Sequence, residues 1–440
     1  MKNTSYLKIF LFILLFSNSF YAQSNYITLN TLLGDKSNRL LNSNNFGKNI
    51  QRQNLDLSIS KEFSLPKNQN YKVELFSSLS DSRGLHFYQL GFKISKKEKY
   101  FFSIGKIADG NFYLPKNTSG SMLFSNNYEP IPEIKLGIDN IKISKKLRFS
   151  ALFSNGILDK NDDFYERPYL HHKYLFFDLG NFEEKKYFSF GLHHAAVWGG
   201  ATTIYNYGDL GRTLEDLYYV VFAKHGNSVN INGPQGNHLG ILHFSYRFTN
   251  KYDNYIYYQK FWEDGNSLNK YYGPIWDGLY GYNYKDENKS ITIEYLKTTF
   301  QSGNIHPPGI DSFYWHIPYT FGWEYKNYTI GNFQISKDSN RVESIYLDFS
   351  QKLNEKFELS LILNVINRYS ISYQDKGWNE EIDLSTDSYI TYKMAKVRLD
   401  FQDKRKSNLS YFIDSGLDIF LKEKNIACNV GVTYSFNFSP

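Results

Sequence analysis

The 440-residue chain contains one cysteine, Cys428, so no intrachain disulfide framework can hold a small-module architecture together. Cys428 is most simply a strand residue. Beyond the first segment no apolar run reaches the roughly 18 residues that a membrane-spanning helix needs, which excludes a helical membrane protein. Neither sign of charge dominates. Fifty basic against 44 acidic residues leave +6, too mild for a nucleic-acid binder and compatible at most with a weak preference for acidic polymers. Gly-x-Ser-x-Gly, His-Glu-x-x-His and phosphate-loop motifs are missing, and with them the sequence signatures of common hydrolases and nucleotide enzymes. Internal repeats and coiled-coil heptads are missing too.

What is abundant is aromatic. The 38 Tyr and 36 Phe stand against 6 Trp, 11 Pro and 3 Met. At the start, Lys2 and Lys8 flank an apolar run from Ile9 to Phe16, followed by a polar stretch ending Tyr21-Ala22-Gln23. This is the pattern of a secretory signal peptide, expected to span residues 1–22 with cleavage after Ala22. The domain expectation for 23–440 is one outer-membrane β-barrel.

Strand-like segments of about ten residues alternate with turns along the chain, the pattern of a transmembrane barrel. The clearest is Val430 to Phe438, where every even position is apolar and every odd one small or polar. Side chains alternate faces along a strand, so this one offers lipid a full apolar row. Such a terminal aromatic-rich strand also resembles the recognition signal of bacterial outer-membrane proteins. Further candidates lie at 25–33, 53–64, 71–80, 85–95, 98–107, 133–144, 147–156, 170–179, 186–198 and 239–248. The rest fall at 254–263, 276–285, 290–300, 318–326, 328–337, 342–351, 357–368, 387–402 and 408–421. With the last strand these make twenty, an even number. Short charged turns (96–98, 181–185, 249–253, 352–356, 403–407) alternate with long connections (108–132, 157–169, 199–238, 264–275, 301–317, 369–386). A periplasmic C-terminus then places every short turn in the periplasm and every long loop outside. The expected fold is all-β, an antiparallel transmembrane barrel of 18–20 strands.

Two histidine pairs sit on one predicted hairpin. A pairing sum of 365 sets His171 opposite His194 and His172 opposite His193. Leu175, Phe177, Leu179, Phe188, Phe190 and Leu192 then share a lipid face, with Lys173 as an exception that must snorkel. Tyr174, Phe176, Asp178, Tyr187, Ser189 and Gly191 share the lumen face with His172 and His193. A one-residue slip would exchange the faces. Four histidines invite a zinc or copper site. Adjacent histidines point opposite ways, however, so at most two share the lumen, and His225, His238, His306 and His316 lie in or beside long loops. The expectation is a rim of amphipathic rings, with no metal and no cofactor. Trp198 marks the interface, and Gly199 and Gly200 act as the hinge into the longest loop.

Trp198-Gly199-Gly200 ends a strand. After it come Thr213-Leu214-Glu215-Asp216-Leu217-Tyr218-Tyr219-Val220-Val221-Phe222, then Gly236-Asn237-His238-Leu239-Gly240 and a new strand from Ile241 to Phe248. This order resembles the capsule-assembly Wzi family of outer-membrane proteins, particularly divergent, Bacteroidetes-like members. The resemblance implies an eighteen-stranded barrel and a lectin-like role holding capsular or exopolysaccharide at the cell exterior. Enterobacterial members begin with a periplasmic helical bundle, whereas this chain passes from Gln23 almost directly into strand-like sequence. No periplasmic partner is therefore carried over, and because the family's glycan-contacting residues do not match position by position, none of them is transferred either. Independently, Thr213 with Asp216 forms a variant capping box ahead of Leu217, Val220, Val221 and Phe222 at helical spacing. A short helix there is placed to fold inward and plug the barrel mouth; a hairpin extension is the alternative.

Three functions remain. Polysaccharide binding needs flat rings against sugar faces and polar groups for hydroxyls. The loops and strand ends supply Trp262, Trp276, Trp315, Tyr271, Tyr272, Tyr280 and Tyr314, with Arg212 and Lys260 for an acidic glycan. The structural alternative is that each ring packs a loop or joins an interfacial girdle. A porin or substrate-specific channel is the second function, since a barrel of this size can leave an aqueous lumen. Catalysis is third and is not expected. Ser154-Asn155-Gly156 echoes part of a phospholipase motif, but Phe153 precedes it where a base belongs. The carboxylate groups Asp162-Asp163, Glu183-Glu184 and Glu380-Glu381 with Asp383 read as solvated turns. The expected surroundings are polysaccharide and outer-membrane lipid, and no nucleic acid.

Overall fold

The computed structural model describes residues 22–34, 38–46, 48, 53–64, 71–80, 86–97, 99–109, 113–226, 234–263, 276–301, 312–369, 389–402, 408–421 and 423–436. The expected leader lies outside these residues, apart from Ala22. Eighteen strands form the wall: β1 (Ala22–Gly34), β2 (Gln53–Ser64), β3 (Tyr71–Ser80), β4 (His86–Lys96), β5 (Tyr100–Lys106) and β6 (Pro132–Lys142). Next come β7 (Leu147–Ile157), β8 (Tyr169–Asn181), β9 (Lys186–Trp198), β10 (Asn237–Thr249), β11 (Asp253–Glu263) and β12 (Gly278–Lys285). The last are β13 (Lys289–Lys297), β14 (Val342–Lys352), β15 (Phe357–Tyr369), β16 (Tyr389–Gln402), β17 (Leu409–Phe420) and β18 (Glu423–Phe436). Each pairs antiparallel with its sequence neighbour, and β1 closes on β18 from Asn25↔Phe436 to Gly34↔Ala427. Closure leaves no unpaired edge, which is what a sheet surrounded by lipid requires. Among the described residues no helix is long and apolar enough to cross a membrane.

The connections sort by end. Residues 65–70, 97–99, 143–146, 182–185, 250–252, 286–288, 353–356 and 403–408 join strands at one end, none longer than six residues. The connections 107–131, 158–168, 199–236 and 298–341 are all at the other. Outward positions carry the apolar row, as on β9 with Phe188, Phe190 and Leu192, all exposed on the wall.

Two expectations are corrected. The segments 318–326 and 328–337 are not wall strands, so the count is eighteen and not twenty. They fold into the lumen and keep only a two-residue pairing, Glu324–Tyr325 with Tyr328–Thr329. Their rings and branched side chains are buried inside the barrel, which gives the same composition as a wall strand. The β8–β9 register also differs, because Leu192 pairs with Leu175 and His193 with Tyr174, a sum of 367. A displacement of two residues preserves parity, so the assigned faces hold.

Inward-folded segments fill the loop-bearing half of the lumen. Residues 38–46 carry the one-turn helix α1 (Arg39–Asn42), and 113–131 and 312–341 supply the rest. Met122, Leu123, Phe124, Phe313, Tyr314, Trp323, Ile330 and Ile335 are buried against inward wall residues such as Ile241, Phe261, Leu279, Leu296 and Ile366. Trp323 donates its indole N–H to Leu123 O at 2.7 Å, and Ser125 Oγ donates to Gly331 O at 2.6 Å. Asn332 Nδ2 donates to Gly120 O at 2.7 Å and Asn127 Nδ2 to Thr329 O at 3.1 Å. The wall joins in, since Met122 N–H donates to Gln259 Oε1 at 3.1 Å and Ser119 N–H to Glu294 Oε2 at 2.6 Å. This is a packed apolar core tied together by hydrogen bonds to its backbone, inside a barrel.

The capping-box segment is a helix, α2 (Leu214–Val221), but it lies outside the barrel. Thr213 accepts from Asp216 N–H at 3.1 Å while Asp216 Oδ2 accepts from Thr213 N–H at 2.8 Å. Val220 and Leu217 pack on Ala196, Trp198 and Tyr169, which have the outward parity of β8 and β9. The expected inward plug is thus formed by other loops. The physical reason is the wall itself, whose outward face here carries His171, Lys173, His194, Ala196 and Trp198 where an apolar lipid row would otherwise continue. The Leu217 and Val220 side of α2 covers it.

Candidate functional site

The loop-bearing end carries a small cap sheet, in the order Gly208–Asp209, Ala201–Thr202, Phe164–Glu166. It is anchored below through Phe164, which is buried against Tyr319 at 5.8 Å between ring centroids. Thr202 Oγ1 donates to Asp163 O at 2.6 Å and Leu210 N–H to Gly200 O at 3.0 Å. Gly199 (φ 64°) and Gly200 (φ 81°) start this excursion in left-handed conformations. An added Cβ at Gly199 would stand 2.7 Å from Gly211 O, so only glycine fits.

From this sheet several groups point outward together. Tyr205 is 75% exposed and sits at φ 45°, followed by Asn206 at φ 58°. A bulky residue in that conformation is an outlier held by its surroundings, here a tight turn closed by Asn206 N–H to Thr203 O at 3.2 Å. Tyr207 meets Tyr205 edge-to-face at 6.4 Å, and Tyr165 is exposed on the neighbouring strand. Arg212 donates to Asp209 Oδ2 at 2.8 Å and lies 3.8 Å from Glu166. The patch combines apolar ring faces with a forked donor and two carboxylates on a braced support.

Deeper in the mouth, three bases converge on one carboxylate. Glu129 is buried and accepts from Lys106 and, at 2.8 Å, from Lys326, with His86 Nε2 3.6 Å away. Burial alone would raise this carboxyl, but hydrogen bonds from His86, Lys106 and Lys326 outweigh it and hold it near about 2. Lys326 also reaches Asp159 at 3.8 Å. At the β12 end, burial pushes Asp277 up to about 6 although Gln301 and Phe300 N–H groups donate to it.

The histidines divide by face. His172 and His193 point inward, His172 Nδ1 lying 3.1 Å from His193 Nε2 and His172 Nε2 2.8 Å from Glu133 Oε1. His194 points outward, 2.9 Å from His238 Nδ1, and stacks on Trp262 at 5.8 Å. All four are buried. Among the described residues no group of three or more His, Cys, Asp or Glu is arranged to hold a metal.

The sequence-derived sugar contacts do not form one site. Arg212 belongs to the cap-sheet patch. Trp276 is 73% exposed, with Tyr280 donating to its carbonyl at 3.1 Å on the outward face of β12. Lys260 also has outward parity, on β11. Trp262 is buried on the outer wall and Tyr314 inside the plug, where its hydroxyl donates to Met122 O. Trp315 is half-buried beside it. Tyr271 and Tyr272 lie outside the described residues. Trp198 is buried beneath α2, not open at the interface. Tyr165, Tyr205 and Asp209, exposed on the cap-sheet segments, are not among the sequence-derived contacts. Their sequence signal is weak, tyrosines within a few residues of Asp, Asn or Gly in two separate loops, and pairing of those loops is a tertiary event.

Residues 112–404 match the family model of the capsule assembly protein Wzi. No curated protein sequence matches the chain. Among solved structures, the barrel is similar to Escherichia coli Wzi, an outer-membrane protein involved in group 1 capsule assembly and a carbohydrate-binding β-barrel. That similarity has a TM-score of 0.61 at 11% identity, covering 94% of this chain and 84% of that one. OccAB4 of Acinetobacter baumannii gives a TM-score of 0.49 at 8% identity, over 96% of this chain and 100% of that one. OccK5 of Pseudomonas aeruginosa gives 0.46 at 11% identity, over 95% and 98%.

Proposed function

The chain belongs to the Wzi family of capsule assembly proteins, and from that premise we propose that it is an outer-membrane barrel binding capsular or exopolysaccharide at the cell surface. The E. coli relative's carbohydrate binding supports this reading. The observation that carries it is the cap sheet, whose segments expose Tyr165 and Tyr205 and carry the Arg212–Asp209 pair. Exposed rings stack on pyranose faces, and an arginine fork with flanking carboxylates hydrogen-bonds ring hydroxyls or an acidic substituent. The support is preorganised, so little ordering cost opposes binding.

The packed plug speaks against the channel alternative, because a packed apolar cluster occupies the upper lumen. Binding without catalysis is also part of the proposal. Ser154 is fully buried and donates to Glu133 Oε1 at 3.0 Å, the same oxygen that His172 approaches. A hydroxyl donating to a carboxylate under lumen packing has neither a substrate path nor a histidine base in place.

The test is titration of purified barrel with the capsular polysaccharide of its own cell, comparing wild type with Tyr205→Ala/Arg212→Ala. Loss of one ring and one charge-assisted contact is expected to weaken binding at least tenfold. Unchanged affinity in a folded double variant would remove the cap sheet from the site.

A further inference from the structure

Helix α2 covers the outer wall yet leaves a second apolar side of its own uncovered. Leu214 is 86% exposed, Tyr218 half-exposed and Phe222 60% exposed. Spaced four apart, they form one ridge along the helix. Tyr218 and Phe222 pack at 5.0 Å between centroids. The ridge sits where the bilayer face begins. On β8 the outward positions run Tyr169, His171, Lys173 and then Leu175, which is 43% exposed; on β9 they run Trp198, Ala196, His194 and then Leu192, also exposed. The C-terminal end of α2 is fastened at that boundary, because Lys173 donates to Val221 O.

Two cations flank the ridge. The ammonium groups of Lys173 and Lys224 each lie 5.9 Å from the centre of the Phe222 ring, and Lys224 also lies 4.8 Å from Tyr218, donating to its hydroxyl at 2.8 Å. The loop return is tied down by Gln235 N–H to Lys224 O at 2.9 Å and Gln235 Nε2 to Leu210 O at 2.6 Å. An apolar ridge level with the top of the lipid-facing row, carrying paired lysines, has the make-up of an interfacial helix. Cations at that depth meet headgroup phosphate.

We propose that α2 is an outer-leaflet clamp, in which Leu214, Tyr218 and Phe222 enter the acyl boundary while Lys173 and Lys224 hold the phosphate of a phosphorylated glycolipid. This goes beyond polysaccharide binding and does not depend on which glycan the cap sheet takes. The clamp gives the barrel a fixed depth and one preferred lipid neighbour on the β8–β9 side.

The test uses full-length protein in detergent, titrated with phosphorylated lipid A and with the same lipid dephosphorylated, and read by native mass spectrometry. Wild type is expected to prefer the phosphorylated form by roughly tenfold or more, at about fivefold per lysine near the headgroup plane. Lys224→Gln should lose about fivefold of that preference. It is exposed and its removal breaks no buried contact, so it reads the charge without unfolding α2. Leu214→Ser/Phe222→Ser should weaken both lipids alike. Equal wild-type affinity for the two lipids overturns the proposal, as does an unchanged preference in Lys224→Gln. The cap-sheet reading is tested separately, by polysaccharide titration of Tyr205→Ala/Arg212→Ala, and Lys224→Gln is expected to bind polysaccharide as wild type does, so the two readings fail independently.

Discussion

Trp323→Ala is the most direct probe of the plug. The indole is fully buried, meets Phe124 edge-on at 5.5 Å and donates to Leu123 O at 2.7 Å. Truncating a buried aromatic costs about 3–5 kcal/mol, and an orphaned carbonyl adds roughly 1 kcal/mol. The wall keeps its ladders, so the loss falls on the equilibrium between a docked and an undocked plug. At about 1.4 kcal/mol per decade, that ratio should move by about three to four decades. The assay is single-molecule conductance in planar bilayers, with heat-modifiable gel migration confirming an intact barrel. Wild type is expected to be closed and the variant to show brief, frequent openings. Large steady conductance in wild type would refute the reasoning, and so would a silent variant with a folded barrel.

Glu129→Gln should destabilise the mouth by up to about 3 kcal/mol near neutral pH, measured by thermal melting in micelles. The sign follows from a carboxyl ordinarily near 4.5 that is held near about 2. The stabilisation is fully present above 4.5 and is lost as pH falls toward 2, so the gap between wild type and variant should close over that window. Gly199→Ala forces a Cβ to within 2.7 Å of Gly211 O at positive φ. It should loosen the cap sheet by about 1–3 kcal/mol, seen as faster proteolysis of the 199–236 connection with the barrel intact.

The barrel was legible because lipid imposes a period of two on every wall strand and water imposes none on the loops. That same signal carries parity but no absolute register, which is why the β8–β9 hairpin pairs at 367 and yet keeps its faces. It also fails for 318–337, where Tyr319, Trp323, Tyr325, Ile330 and Ile335 are enclosed on all sides and mimic strands. The helix was readable from Thr213 and Asp216, but its docking side was not. That depended on outward His194, Ala196 and Trp198 being the part of the wall in need of cover. The site was least legible, because a tyrosine in a loop reads alike whether it packs a plug, as Tyr314 does, or faces water, as Tyr205 does.

The plug also fixes an order of events during assembly. Neighbouring wall strands are joined by short turns or single loops, but the contacts inside the plug are not local. Trp323 reaches Leu123 across 200 residues of chain, and Asn332 reaches Ser119 across 213. Bringing such distant segments together carries a chain-closure penalty that hairpins do not. The 113–131 segment meets wall residues such as His193, Gln259 and Glu294 as their strands arrive, but its partners in 312–341 come only after about two hundred further residues. The plug thus stitches distant parts of the wall together, and its full set of contacts exists only once β13 and the 298–341 connection are in place, with β14 to β18 still to close the cylinder around it.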